Sequence, residues 1–299
     1  MFPCKVQMVL KLLYHIVNEI IHTLRVGEIK MITQNLDFLK TKHGIFHSLS
    51  SDLYIGNSMK LYGEYSEIEL SIIMKYINNG DYVFDIGANI GAFSIPFQKR
   101  IGESGKVFSF EPQKEIFEIL KMNIKNNKTR NIELFQAGLG LNKTSVDLTF
   151  INYNVVDNFG GVSLVQDKRN PFFPGKNDLK QKIQIMCLNE FLHLEKCNFI
   201  KLDVEGMELD VLKGGKLFLK KYRPVMWIEN QRVFPNKLNK LLLKNHYNVY
   251  WALSFLFNPK NHLNRKTNFF PNICSENILA IPKEKNKDFD TLGLDKIID

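Results

Sequence analysis

The chain is poor in the residues that staple small folds. Its 299 residues include four cysteines, Cys4, Cys187, Cys197 and Cys274, and no two of them stand at CxxC spacing. Neither a zinc site nor a disulfide framework is indicated, so a reducing, cytoplasmic setting is expected. No stretch is apolar for long enough to cross a bilayer. Val9 to Leu24 comes nearest, with apolar residues at helical spacing (Val9, Leu10, Leu13, Ile16, Val17, Ile20, Ile21, Leu24), but Lys11, His15, Asn18, Glu19 and His22 interrupt it. No small-residue cleavage site follows, so no signal peptide is expected. The spacing reads as a packed amphipathic helix, with membrane-surface docking or dimerisation through the same face as lesser alternatives. Internal repeats, low-complexity linkers and a dedicated RNA-binding motif are also absent. So is strong metal-ligand spacing, and His43 with His47 reads as an ordinary helix or loop pair.

What remains is an ordinary globular composition, 44% hydrophobic and 24% charged, long enough for one large domain with attachments or two small ones. The formal net charge of +9 would attract anionic partners such as nucleic acid, a membrane surface or an acidic glycan. The lysines are scattered, however, in Lys-Asn patches such as Lys125-Asn126-Asn127-Lys128 and Lys283 to Lys287. That distribution equally fits a generally basic composition.

The most informative stretch is Val83-Phe84-Asp85-Ile86-Gly87-Ala88-Asn89-Ile90-Gly91. Tyr82 to Ile86 is β-rich and bounded by Asn79-Gly80-Asp81, which predicts a buried strand. Gly87 and Gly91 then open a helix, and glycines there let backbone and ligand approach closely. Asn89 occupies the second glycine position of a dinucleotide fingerprint and Asp85 precedes the turn. This favours a nucleoside-type cofactor without a pyrophosphate and disfavours a nicotinamide dehydrogenase.

From about residue 68 the chain alternates strand-like and helix-like patterns. Helices are expected over Leu70 to Ile77, Ala92 to Lys99 (despite Pro96), Ile116 to Asn126 and Glu208 to Leu219. Strands are expected over Lys106 to Glu111, Ile132 to Ala137, Phe199 to Val204 and Val225 to Glu229, and Leu238 to Lys244, Asn248 to Ser254 and Ile278 to Ile281 complete the pattern. Residues 143–187 break the rhythm and read as antiparallel strands with a long loop, a lid or substrate-facing insertion. Alternation of this kind predicts an α/β fold, a mostly parallel sheet covered by helices on both faces, with ligand at the strands' carboxyl ends.

Carboxylates stand at those ends: Asp85, Glu111, Asp203 with Glu205, and Glu229. Glu111 lies about 20 residues past Gly91, near the spacing at which an acid grips a ribose diol. Acids converging on one crevice suit a cationic ligand rich in hydroxyls.

The chain resembles the FkbM family of S-adenosylmethionine-dependent methyltransferases. The residues carrying the resemblance are Tyr62-Gly63-Glu64-Tyr65-Ser66-Glu67, the Asp85 to Gly91 loop, Phe110-Glu111-Pro112 and Asn158-Phe159-Gly160-Gly161. They continue through Ile200 to Leu209, Val225 to Asn230 and Leu256 to Asn261, so the likeness runs from about residue 60 to about 282. It implies a Rossmann-like class I methyltransferase with a seven-stranded sheet over residues 60–285, a β-rich insertion at 143–187, a helical extension over 1–59 and a tail over 286–299. It further implies that Asp85, Gly87, Asn89 and Gly91 border the methionine part of the cofactor and that Glu111 binds the ribose. Ala137 and Gly138 would lie near the adenine, and Tyr65 and Glu67 would close over the cofactor, unless they are the start of a helix capped by Ser66.

Methyl transfer to a poorly nucleophilic hydroxyl profits from a general base. Asp203 and Glu205 lead for that role, followed by Glu229; Asp203 would also touch the cofactor, or cap the helix that follows. The acids would equally suit Mg²⁺, but with no supporting spacing no metal is expected. The resemblance implies O-methylation of a sugar, polysaccharide or lipid-linked glycan. Tyr250, Trp251, Phe255, Phe257, Phe269 and Phe270 would either stack on a pyranose or form core. Methylation of nucleic acid or another small molecule, and a non-catalytic binder on the same fold, stand as alternatives.

Overall fold

The structure, a computed structural model, describes residues 36–149, 151–164, 180–230, 235–288, 291 and 293–298. The helix read over Val9 to Leu24 lies outside them. The described part of the expected helical extension begins instead with an antiparallel hairpin, β1 (Leu36–Thr41) and β2 (Gly44–Leu49). Helices α1 (Ile55–Tyr62) and α2 (Glu67–Ile73) lead to strand β3 (Tyr82–Ile86). Then come α3 (Ser94–Ile101), β4 (Lys106–Phe110), α4 (Lys114–Asn126) and β5 (Ile132–Phe135). Pro96 is the third residue of α3, where its missing N–H has no intrahelical acceptor to lose.

The insertion forms a separate three-stranded sheet, in which β7 (Thr144–Thr149) pairs antiparallel with β8 (Lys180–Met186) and β6 (Gly138–Leu139) pairs parallel with it. The main rhythm resumes at β9 (Phe199–Leu202), followed by α5 (Glu208–Gly214) and α6 (Lys216–Tyr222). A single helix from Glu208 to Leu219 is thus broken at Gly214-Gly215. The chain is pressed there against a distant segment: a Cβ on Gly214 would stand 2.2 Å from the carbonyl oxygen of Gly140. The chain ends with β10 (Val225–Glu229), α7 (Pro235–Lys244), β11 (Tyr247–Phe255) and β12 (Cys274–Pro282). Residues of the expected 286–299 tail lie along the sheet edge: Trp251 donates to Asp295 O at 2.9 Å and Ile297 to Val249 O at 2.8 Å. Among the described residues no helix is long and apolar enough to cross a membrane.

The central sheet has seven strands in the order β11-β12-β10-β9-β3-β4-β5, with β12 antiparallel to both its neighbours and the pairings from β10 to β5 parallel. Period-two alternation assigns its side chains to two cores. Val83, Val107, Phe199, Val225 and Trp227 face a cluster containing Ile95 and Phe97 of α3 and Ile119 and Leu120 of α4. Phe84, Phe108, Phe110, Ile200 and Leu202 face the cluster of Val211, Phe218 and Leu242. Burying both faces is what a parallel sheet requires, and the near-continuous apolar strands follow from it. Asp85 and Lys201 share the parity of Val83 and Phe199, so charge enters this core only near the carboxyl ends.

The Lys-Asn patch at 125–128 has a structural use. Asn127 of the patch and Asn123 one turn earlier dock the hairpin. Asn123 is fully buried; its Oδ1 accepts the His47 N–H at 2.6 Å and its Nδ2 donates to His47 O and Ile90 O, both at 2.9 Å. Asn127 repeats the pattern on Ile45, accepting at 3.0 Å and donating at 2.6 Å. Because an unsatisfied buried amide or carbonyl costs about 1–3 kcal/mol, Asn123→Ala is expected to lower stability by roughly 2–4 kcal/mol. Asn126→Ala, at an exposed contact to the His47 ring, should change it by less than about 0.5 kcal/mol. Urea denaturation of the two variants checks the contrast, and equal effects would refute the docking role.

Candidate active site

Strands β3 and β9 are neighbours from which the chain departs in opposite directions across the sheet, β4 to one side and β10 to the other. Such a switch point opens a crevice outside the strands' carboxyl ends. Here the ends are tied together. Gly87 has φ +86°, and a Cβ on it would stand 1.8 Å from Asp203 O. The Asp203 N–H donates to Ile86 O at 3.0 Å, and the N–H groups of Gly87 and Ala88 both donate to Phe110 O, at 3.0 and 2.9 Å. The crevice above this knot has two adjoining parts that share Gly87, Glu111, Gly160, Asp203 and Glu205.

Glu111 stands between the two parts, just past β4. Its Oε2 accepts the Asn89 N–H at 3.0 Å and its Oε1 the Gln113 N–H at 2.9 Å. Asn89 reaches it by adopting a left-handed backbone, φ 49°. Burial pushes the Glu111 carboxyl up to about 7, against the lowering effect of those two N–H donors. Beyond it, Ala137, Gly138, Leu139, Val162, Leu164 and Met207 make a largely apolar wall.

The other part is acidic. Lys201 is buried, with Nζ 3.0 Å from Asp203 Oδ2 and 4.8 Å from the centroid of the Phe93 ring. Burial works against its charge, but Asp203, Asp85 and Glu69 outweigh burial and hold the ammonium above its ordinary range. Asp203, Glu205 and Glu229 each offer a carboxylate oxygen, all within 4.8 Å of one another. Burial, then the charges of Asp203, Glu205 and Glu208, push Glu229 up to about 10. A hard divalent cation fits three such oxygens; sequence spacing alone gave no reason to expect one. Asp203 does not cap the helix that follows, which has no side-chain cap; Glu208, its first residue, instead braces the preceding turn, its carboxylate accepting the N–H groups of Val204 at 3.1 Å and Gly206 at 3.2 Å.

The structure brings Tyr65, Gly87, Asn89, Glu111, Ala137, Gly138, Asp203, Glu205 and Glu229 to the crevice walls. Three residues expected there stand elsewhere. Glu67 turns to the hairpin, 2.7 Å from both Lys42 Nζ and His43 Nε2. Asp85 lies fully buried beneath the loop, accepting from Ser94 Oγ at 2.5 Å. Gly91 faces α4, where a Cβ would stand 2.9 Å from Leu120 Cδ1. Each is close to the crevice in sequence, but strand parity or helix rotation points it away. Ser66 holds the N-cap position but its side chain makes no capping bond to the backbone; its hydroxyl donates to Glu69 Oε2 at 2.7 Å instead. Lys201 and Phe93 were missed. The signal for Lys201 was a charge inside Phe199-Ile200-Lys201-Leu202, a strand otherwise apolar on both faces.

Glu111 should leave a signature in stability. Its folded value of about 7 lies above the ordinary 4.5, so its protonated form favours folding. That contribution is complete at pH values below 4.5 and is lost as pH rises through 7. Wild type should therefore lose on the order of 2 kcal/mol between pH 5 and pH 8 through this group. Glu111→Gln, which keeps an acceptor but cannot ionise, should show a correspondingly flatter profile in denaturant melts at the two pH values. The same slope in both proteins would contradict the assignment.

Comparison with known proteins accords with this geometry. The family model for the methyltransferase FkbM domain matches residues 85–250, more than half of the chain. Methyltransferase 1 of Beauveria bassiana is 26% identical over 178 residues, covering 54% of this chain and 71% of that protein. Hexuronic acid methyltransferase AglP of Haloferax volcanii is 30% identical over 182 residues, covering 61% and 69%. Among solved structures, methyltransferase FkbM from Methylobacillus flagellatus aligns with a TM-score of 0.41 and 17% identity over 67% of this chain. The chain spans 43% of that protein's length. A Rossmann-like sheet with its switch-point crevice and a family match running from Asp85 to Tyr250 together identify the chain as a member of the FkbM methyltransferase family.

Proposed function

We propose that the crevice binds S-adenosylmethionine and that the protein methylates a hydroxyl of a sugar, polysaccharide or lipid-linked glycan. One observation carries the cofactor reading: a carboxylate fixed by two backbone N–H groups at the end of β4 stands next to an acid-rich chamber at the switch point. The residues fit the group. Glu111 is held with both oxygens oriented, as a ribose diol requires. Gly87 keeps the loop free of side-chain bulk, and the apolar wall from Ala137 to Met207 suits a flat base. The acids outnumber Lys201, the ammonium among them, so a cationic ligand offsets charge that burial otherwise forces into protonation.

When bound, S-adenosylmethionine supplies the methyl group as a carbon on a positively charged sulfur. The chain's own residues do the rest. Glu111 orients the ribose, and Tyr65, packed edge-on against Phe93 at 6.2 Å between ring centroids, walls the acidic chamber. Asp203, positioned by Lys201, and Glu205 accept the proton of the acceptor hydroxyl. Burial and the acids around it favour the protonated form of Glu229, which places it behind Asp203 and Glu205 as the base. The Haloferax volcanii relative is a hexuronic acid methyltransferase, which supports a sugar acceptor here.

Titration calorimetry with S-adenosylmethionine tests the first half. Wild type should bind it, and Glu111→Ala should weaken binding by at least about tenfold, the effect of losing two charge-assisted hydrogen bonds. No binding to clean apoprotein, or undiminished binding by the variant, sinks the cofactor reading. For the base, Asp203→Asn and Glu205→Gln should each lower kcat by about 10²-fold or more. A near wild-type, pH-independent rate in both variants would remove the role.

A further inference from the structure

Tyr54 and Ile273 line the crevice on one side and a second groove on the other. This groove has a volume of about 430 Å³, is open along one side, and is large enough to hold part of a small molecule. Its remaining walls are Leu53, Leu61, Phe269, Phe270 and Pro271, with the Asn57 amide among them. Phe270 is anchored, its ring centroid 6.0 Å from those of Tyr54 and Tyr62. Phe269 and Ile273 are not covered: they are 53% and 36% exposed.

The groove's chemistry distinguishes between occupants. Tyr54 and Asn57 are its polar side chains. A second sugar ring would surrender its water hydrogen bonds there and recover few of them. An aliphatic chain would lose nothing polar and would gain by covering apolar surface. Buried apolar area next to a reaction site also serves the acceptor directly, because it holds the reacting group in place. The exposed Phe269 ring and Ile273 side chain would otherwise stand against water beside a polar crevice.

We propose that the acceptor is an amphiphile, with its reacting hydroxyl at Asp203 and Glu205 and an aliphatic chain lying in the groove between Tyr54 and Leu61 on one side and Phe269 and Ile273 on the other. The inference rests on the acceptor-hydroxyl reading given above and narrows it to acceptors that carry a lipid-like chain. It gives a purpose to the loop between β11 and β12, which supplies one wall of the groove. That loop is fixed from below by Glu64, whose carboxylate accepts from Asn258 Nδ2 at 2.8 Å and from the His262 N–H at 2.9 Å.

Calorimetry in the presence of saturating S-adenosylhomocysteine tests it, with n-octyl β-D-glucoside below its micelle concentration as the probe. Methyl β-D-glucoside, phenyl β-D-glucoside and methyl β-maltoside are the comparisons. The octyl compound should bind about tenfold or more tighter than the methyl compound. That advantage should disappear in Phe269→Asp and in Asn57→Trp, which charge and fill the groove, while S-adenosylhomocysteine binding stays unchanged. Equal or absent binding of the octyl probe, tighter binding of the phenyl glucoside or the maltoside, or an advantage that survives both variants would overturn the proposal. Failure of S-adenosylhomocysteine to bind wild type would instead count against the cofactor reading, so the two failures are distinguishable.

Discussion

Gly87 has room for a hydrogen atom and nothing larger, because the carbonyl oxygen of Asp203 stands where a Cβ would go. That contact sets the distance between the loops that leave β3 and β9. Once it is set, Asp203 comes next to the glycine loop, Lys201 comes under Phe93, and Glu111 can bridge to Asn89 from the far side. The backbone bonds from Gly87 and Ala88 to Phe110 hold the third strand end in the same knot. A side chain at position 87 would meet main-chain atoms, which cannot rotate away, so the clash would be relieved only by separating the strands.

The crevice gathers more carboxyl groups than cations. Lys201 serves three of them at once, Asp203, Asp85 and Glu69, and it does so from a buried position where an ammonium is costly on its own. The remaining imbalance appears as protonation: Glu111 and Glu229 are pushed upward by burial, and Glu229 further by its acidic neighbours. A site arranged in this way keeps charge in reserve for a cationic or hydroxyl-rich ligand. The desolvation that opposes ionisation of these acids would favour a positively charged group placed beside them.

The segments outside the central sheet act mainly by holding this crevice in shape. Asn123 and Asn127 fasten the hairpin to α4, and through Lys42 and His43 the hairpin holds Glu67 at the start of α2. Tyr65 stands two residues before Glu67 and walls the chamber. Glu64 fastens the loop between β11 and β12 to the same segment. The motif Tyr62 to Glu67 therefore owes much of its pattern to packing: Glu64 and Glu67 bind protein groups, as does Glu69 just beyond it, and Tyr65 is the member that lines the crevice.

Period-two alternation, the turn residues and the glycines after β3 were enough to read the α/β alternation, the strand ends and the acids on them. Those are local properties, fixed by the geometry of strands and helices themselves. Glu111, Asp203 and the Asp85 to Gly91 loop were legible for that reason. The hairpin in place of a helical segment, the break at Gly214-Gly215 and the turning away of Glu67, Asp85 and Gly91 were not. Apart from Asp85, whose direction follows from strand parity, each depends on a partner far away in the chain: Asn123 and Asn127 for the hairpin, Gly140 for the break, His43 for Glu67, Leu120 for Gly91. The sequence alone determined which chemistry is present and at which ends of which strands. Tertiary structure decided which of those groups face one another, because side-chain direction at a loop is set by the surface that packs against it.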